Sequence, residues 1–131
     1  IDLLNNHMVN PKYPGIVFAL GGDMVSGDIH EELMATNDAE IMPVVIDLFG
    51  VLIWCIETLA NHFDKVFVPC VGGNHGRNTH KIRNKGRNFT SFDWLTYQFL
   101  SKHFAIQYPS DYPVMDLAKW REQQINSILD E

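Results

Sequence analysis

Two apolar runs, each closed by a glycine pair and then a polar side chain, constrain this chain more than any other feature. The first is Gly15-Ile16-Val17-Phe18-Ala19-Leu20, followed by Gly21-Gly22-Asp23. The second is Val66-Phe67-Val68-Pro69-Cys70-Val71, followed by Gly72-Gly73-Asn74-His75-Gly76-Arg77. Short valine-rich runs bounded by turn residues read as buried strands. In an open α/β sheet, ligands sit in the crevice beyond the carboxyl ends of the strands. Asp23 and Asn74-His75 are therefore expected to converge there.

The rest of the chain supplies helices between the strands. Residues 1–10 read as the tail of an amphipathic helix, stopped by Pro11 and the Pro14-Gly15 pair. The first strand spans 16–20, and a loop follows over 21–32. Asn37 or Asp38 is expected to cap a long helix reaching about Phe63, with Pro43 in its first turns. Its polar stripe of Asp47, Glu57, Thr58 and Asn61 is narrow, so most of its circumference should be covered. The second strand spans 66–71 and a basic loop occupies 76–88. Thr90 or Ser91 caps a helix through Trp94, Leu95, Phe99 and Leu100 that ends near His103. A third short strand is expected over 104–108, a loop over 109–113, and a final amphipathic helix over 117–129. Strands alternating with helices at these lengths predict a parallel α/β sheet within a layered α/β sandwich.

A chain of 131 residues is one domain or part of one, long enough for a core. An apolar share of 46% against 20% charged excludes a disordered chain and fits a globular one. Cys55 and Cys70 lie inside apolar segments and read as buried thiols, which points to a reducing, cytoplasmic setting. No secretory leader is visible. Residues 41–60 are apolar enough to suggest a membrane span, but Pro43, Asp47, Gly50 and Glu57 interrupt them, so a buried helix is expected and no membrane partner. Leu3, Leu4, His7 and Met8 have helical spacing from the first residues, as though a helix were cut. The expectation is that residues 1–131 form a single domain truncated from a longer one.

Each polar side chain at the strand ends has a functional and a plain reading. The Asp23 carboxylate can bridge two divalent cations through its two oxygens, although Gly-Asp alone is a common turn. Asn74 offers a hard amide oxygen, and asparagine also suits a left-handed turn. His75 can serve as a general acid or a ligand, while most single histidines make one hydrogen bond and no more. Arg77 can hold a phosphate in a bidentate contact or stand as a solvated charge.

Taken together, Gly22-Asp23 and Gly73-Asn74-His75 at the ends of two such strands resemble the Gly-Asp and Gly-Asn-His blocks of the calcineurin-like metallophosphoesterase family. The resemblance covers roughly positions 15–80, and the second block is the more specific. It implies a centre of two divalent metal ions (manganese, iron or zinc), with Asp23 bridging them and Asn74 ligating one. His75 would contact the scissile phosphate and protonate the leaving oxygen, while a metal-activated hydroxide attacks phosphorus in line. The family's Asp-x-His block before Gly-Asp and its late Gly-His-x-His block have no match here. Where the family often carries Asp or Asn three residues after Gly-Asp, this chain has Ser26. Asp28-Ile29-His30 spells Asp-x-His but follows Gly-Asp, so His30 stays outside the expected metal set. It reads as starting the next helix or shaping the cleft, and His80 as a weak phosphate candidate.

The net charge of −6 argues against a generic nucleic-acid coat, yet five of the ten Lys and Arg residues fall between Arg77 and Arg87. Beside a phosphoesterase centre such a loop would draw in a polyanion and contact several phosphates without reading sequence. Phe89, Phe92 and Trp94 follow it at a spacing that fits the buried start of a helix better than a base-stacking platform. The expected function is metal-dependent phosphoester hydrolysis in the parent protein, as a phosphodiesterase with nucleic acid as a candidate substrate bound through the 77–87 loop; the fragment itself is expected to hold an incomplete centre that lacks several ligands. The alternative is a non-catalytic scaffold or regulatory subunit with the same fold, for example of a DNA polymerase.

Overall fold

The computed structural model describes residues 13–27, 29–82, 85–104 and 114–116. The expected helices over 1–10 and 117–129, and all but Phe104 of the expected strand over 104–108, lie outside the described residues. Three strands make one sheet in the order β1-β2-β3: β1 is Gly15–Val17, β2 Lys65–Pro69 and β3 Val114–Asp116. β1 and β2 are parallel, with Gly15 opposite Lys65 and Val17 opposite Phe67. β3 runs antiparallel on the other side of β2, with Phe67 opposite Asp116 and Pro69 opposite Val114. The fold is thus mixed α/β. The expected parallel pairing holds for β1 and β2, whereas β3 is antiparallel and lies at 114–116, where no strand was expected. Phe104 instead forms a buried turn at the end of a helix.

The parallel pairing outlasts the formal strands. Phe18 donates to the Phe67 carbonyl at 2.8 Å, Leu20 to Pro69 at 2.9 Å, and Val71 to Leu20 at 2.8 Å. Leu20 and Cys70 still face each other as a bridge. Both apolar runs therefore end at the same level, which sets the two glycine pairs side by side.

Three helices are described: α1 (Glu31–Thr36), α2 (Ile41–His62) and α3 (Phe92–His103). α1 falls partly in the expected 21–32 loop and continues past it; six residues are too few to show a helical period. α2 begins after Glu40, whose backbone is extended and whose side chain makes no cap, instead of after Asn37 or Asp38. Pro43 sits in the first turn, where its missing N–H costs no intrahelical bond. α3 starts as the sequence suggests, with the Ser91 hydroxyl accepting from the Trp94 N–H at 3.3 Å.

α2 and α3 pack against one face of the sheet. Leu52, Ile56 and Ala60 of α2, Tyr97 and Leu100 of α3, and Leu20, Val66, Val68 and Cys70 of the sheet form the core. Burial pushes the Cys70 thiol from 9.0 up to about 12. The expectation that most of α2 would be covered is not met among the described residues. Only Val45, Leu52, Ile56 and Ala60 are buried, while Ile46 is 70% and Trp54 66% exposed, with Met42 and Val51 also open. α2 is long and apolar enough to cross a bilayer by length and composition. Its apolar character runs around the helix, but the sheet and α3 take up one stripe of it. Val17, Phe67 and Val71, on the alternate positions of the two strands, are likewise exposed.

Candidate functional site

Because the strands end in register, the backbone at Gly22 meets the backbone at Gly73. Gly22 has φ +81°, and a Cβ there would stand 2.5 Å from the Gly73 nitrogen. A Cβ on Gly73 would stand 2.0 Å from Asp23 Oδ1. No larger residue fits either place, so the second glycine of each pair is required by the contact between loops. Gly21 has open space around it, and its role is not explained by that contact.

Asp23 follows with φ +50°, a left-handed conformation that aspartate tolerates better than most residues. Its Oδ1 accepts the backbone N–H of Asn74 and that of His75, each at 2.7 Å. A further strut joins the loops where the Gly27 N–H donates to the His75 carbonyl at 3.0 Å. Asp23, Asn74 and His75 are thus brought together at the carboxyl ends of β1 and β2, as the sequence predicts, and all three are exposed.

The residue that holds this junction was not singled out from the sequence. Asp93, in the first turn of α3, is completely buried. Its Oδ2 accepts from the Asp23 N–H and the Gly73 N–H, both at 3.0 Å, and its Oδ1 from the Met24 N–H at 3.1 Å. A buried carboxylate is tolerated when donors converge on it, and here three do so from two loops. In the sequence an acid in a first helical turn looks like a partner for the helix dipole, which hides this role. Tyr97, one turn on from Asp93, donates its hydroxyl to the Val71 carbonyl at 3.0 Å and fixes α3 to the end of β2.

Arg77, the expected phosphate contact, is turned onto its own loop. Its Nε donates to the Thr79 carbonyl at 2.9 Å, one terminal nitrogen to the Asn74 carbonyl, and the other to His80 at 3.3 Å. The loop is also stitched to the start of α3: Asn78 N–H donates to Thr90 at 2.9 Å and Phe92 N–H to Gly76 at 2.7 Å. Asn74, Arg77, Ile82, Arg87 and Thr90 line a small cavity on this side.

On the other side, His30 stands beside His75, with ring centroids 6.4 Å apart and planes tilted by 57°. Chain order kept His30 out of the expected set, and order is no guide to proximity across a loop. His30, Glu31, Glu32 and His80 line an open polar cleft there.

The donors suit a hard divalent cation in kind: a carboxylate oxygen of Asp23 and the amide oxygen of Asn74. Among the described residues no three His, Cys, Asp or Glu side chains gather tightly enough to hold an ion by themselves. Comparison with family models, with curated proteins and with solved structures gives no match to this chain.

Proposed function

We propose that this chain carries part of a two-metal phosphoesterase centre of the calcineurin-like kind, within the corresponding α/β sandwich, and that the centre serves phosphodiester hydrolysis. The observation that carries the reading is the junction itself: Asp23 Oδ1 takes the backbone N–H groups of both Asn74 and His75, so one carboxylate organises the second block. Asp23 and Asn74 would hold divalent ions (manganese, iron or zinc). When bound, the ions would supply Lewis acidity, lowering the pKa of water and neutralising charge on phosphoryl oxygens.

The chain's own residues do the rest. His75 donates a proton to the leaving oxygen, with its backbone fixed by Asp23 and its ring beside His30. Arg77 braces the loop through three carbonyls and offers its remaining N–H donors to the substrate phosphate. The exposed Lys81, Lys85 and Arg87 attract a polyanion to this edge, which favours nucleic acid among phosphodiesters. The reading assigns the protein to the cytoplasm, with no membrane partner.

A non-catalytic scaffold with the same fold has one observation in its favour. An Asp23 whose Oδ1 latches two backbone amides performs a structural task without any ion. Calorimetry with Mn²⁺, paired with hydrolysis of bis(p-nitrophenyl) phosphate, separates the two. The phosphoesterase reading predicts that Asp23→Ala loses both binding and turnover. It also predicts that His75→Ala keeps Mn²⁺ binding but loses roughly 10²–10⁴-fold in rate. Absence of Mn²⁺ binding by the unaltered protein hands the fold to the scaffold reading.

A further inference from the structure

The segment from Lys65 to Phe92 contains no acidic residue, although the whole chain has sixteen, and six of the ten Lys and Arg residues lie in it. Within this segment Phe89 projects from a short 3-10 turn, Arg87–Thr90, and is 70% exposed. Its exposure does not come from a loose loop. Gly86, at φ +69°, closes the turn with its carbonyl accepting the Phe89 N–H at 3.1 Å. Thr90 Oγ1 donates to the Arg87 carbonyl at 3.0 Å, and Ser91 N–H to Asn88 at 3.1 Å. The ring is braced edge-to-face by Trp94, with centroids 5.3 Å apart and planes at 83°. The sequence spacing suggested that this aromatic cluster is the buried start of a helix; α3 instead begins at Phe92, and Phe89 stands outside it. Arg87 and Thr90, on either side of Phe89, line the cavity that Asn74 also lines.

We propose that Phe89 is a stacking platform for an unpaired nucleobase of a single-stranded nucleic acid, with Arg87 taking an adjoining phosphate. An aromatic face stacks on any base, and cations beside it track the backbone, which is how single strands are held without sequence readout. A duplex keeps its bases stacked on each other and offers none to Phe89. The inference deepens the phosphodiesterase reading and rests on it for the neighbouring reaction centre.

Fluorescence anisotropy at low, fixed salt tests it with a labelled dT oligonucleotide and an abasic oligomer of the same length and charge. The unaltered protein should bind the dT strand about 5- to 150-fold more tightly than the abasic one. Phe89→Ala should remove that preference and Phe89→Trp should keep it, which separates loss of stacking from loss of folding. Equal affinity for the two oligomers, a preference that survives in Phe89→Ala, or equally tight binding of a duplex would overturn the proposal. Binding of neither oligomer would overturn it too. The two readings fail separately. Mn²⁺ binding with no base preference removes only the platform, and a base preference without Mn²⁺ binding removes only the phosphoesterase.

Discussion

Helix α2 lies on the sheet through Leu52, Ile56 and Ala60, whereas the strand-end loops meet through Asp23, Gly73 and Asp93. The helix is held by apolar area, a term that adds up over many contacts and tolerates small shifts. The loops are held by a few hydrogen bonds and by backbone contact that admits no Cβ. Area can be gained from any side of an apolar helix, and among the described residues α2 leaves Ile46 and Trp54 uncovered with no loss of its core stripe. Direction cannot be redistributed in that way. Asp93 meets donors from both loops, and a displaced loop would leave a buried carboxylate short of partners.

Removing Asp93 should break the contrast most sharply. Asp93→Ala strands three N–H groups and should cost roughly 3–5 kcal/mol in urea unfolding. In any fraction that remains folded, the Asp23 and His75 blocks should no longer behave as one site. Ile56→Ala should cost about 3 kcal/mol through lost burial and a residual cavity, yet leave the strand-end amides in place by NMR.

The buried thiol beneath the junction gives a pH-dependent version of the same test. Its folded-state pKa is raised, from 9.0 to about 12, because burial disfavours the thiolate. The neutral form is therefore favoured by folding. This contribution is fully present below pH 9 and is lost as pH climbs toward 12. Native Cys70 should resist thiol reagents at pH 8, where the partly exposed Cys55 labels first by mass spectrometry. Smallest of all, Trp54→Gln on the open face of α2 should change stability by no more than about 0.5 kcal/mol.

The sequence made the junction legible and the helix surface much less so, for physical reasons. Apolar runs stopped by glycine pairs give both the strand ends and their shared level, because parallel strands in register end together. That the second glycine of each pair meets the other loop was not foreseen, and only the structure shows it at Gly22 and Gly73. Asp93 left no comparable signal, since its three partners lie 20 to 70 residues away in the chain and are all backbone amides. The apolar composition of α2 announced a helix in contact with something but not which face is covered. β3 is three residues long beside Pro113, too short for an alternating pattern to show.

On the proposed function, the Gly-Asp and Gly-Asn-His blocks form one ion-binding site. Titrating Mn²⁺ into the ¹⁵N-labelled protein tests it most directly, because the paramagnetic ion broadens only nearby amide signals. The amides of Gly22, Asp23, Asn74 and His75 should broaden first and together, and Asp23→Ala should abolish the effect. Broadening confined to one block, centred elsewhere, or absent up to millimolar Mn²⁺ would contradict it.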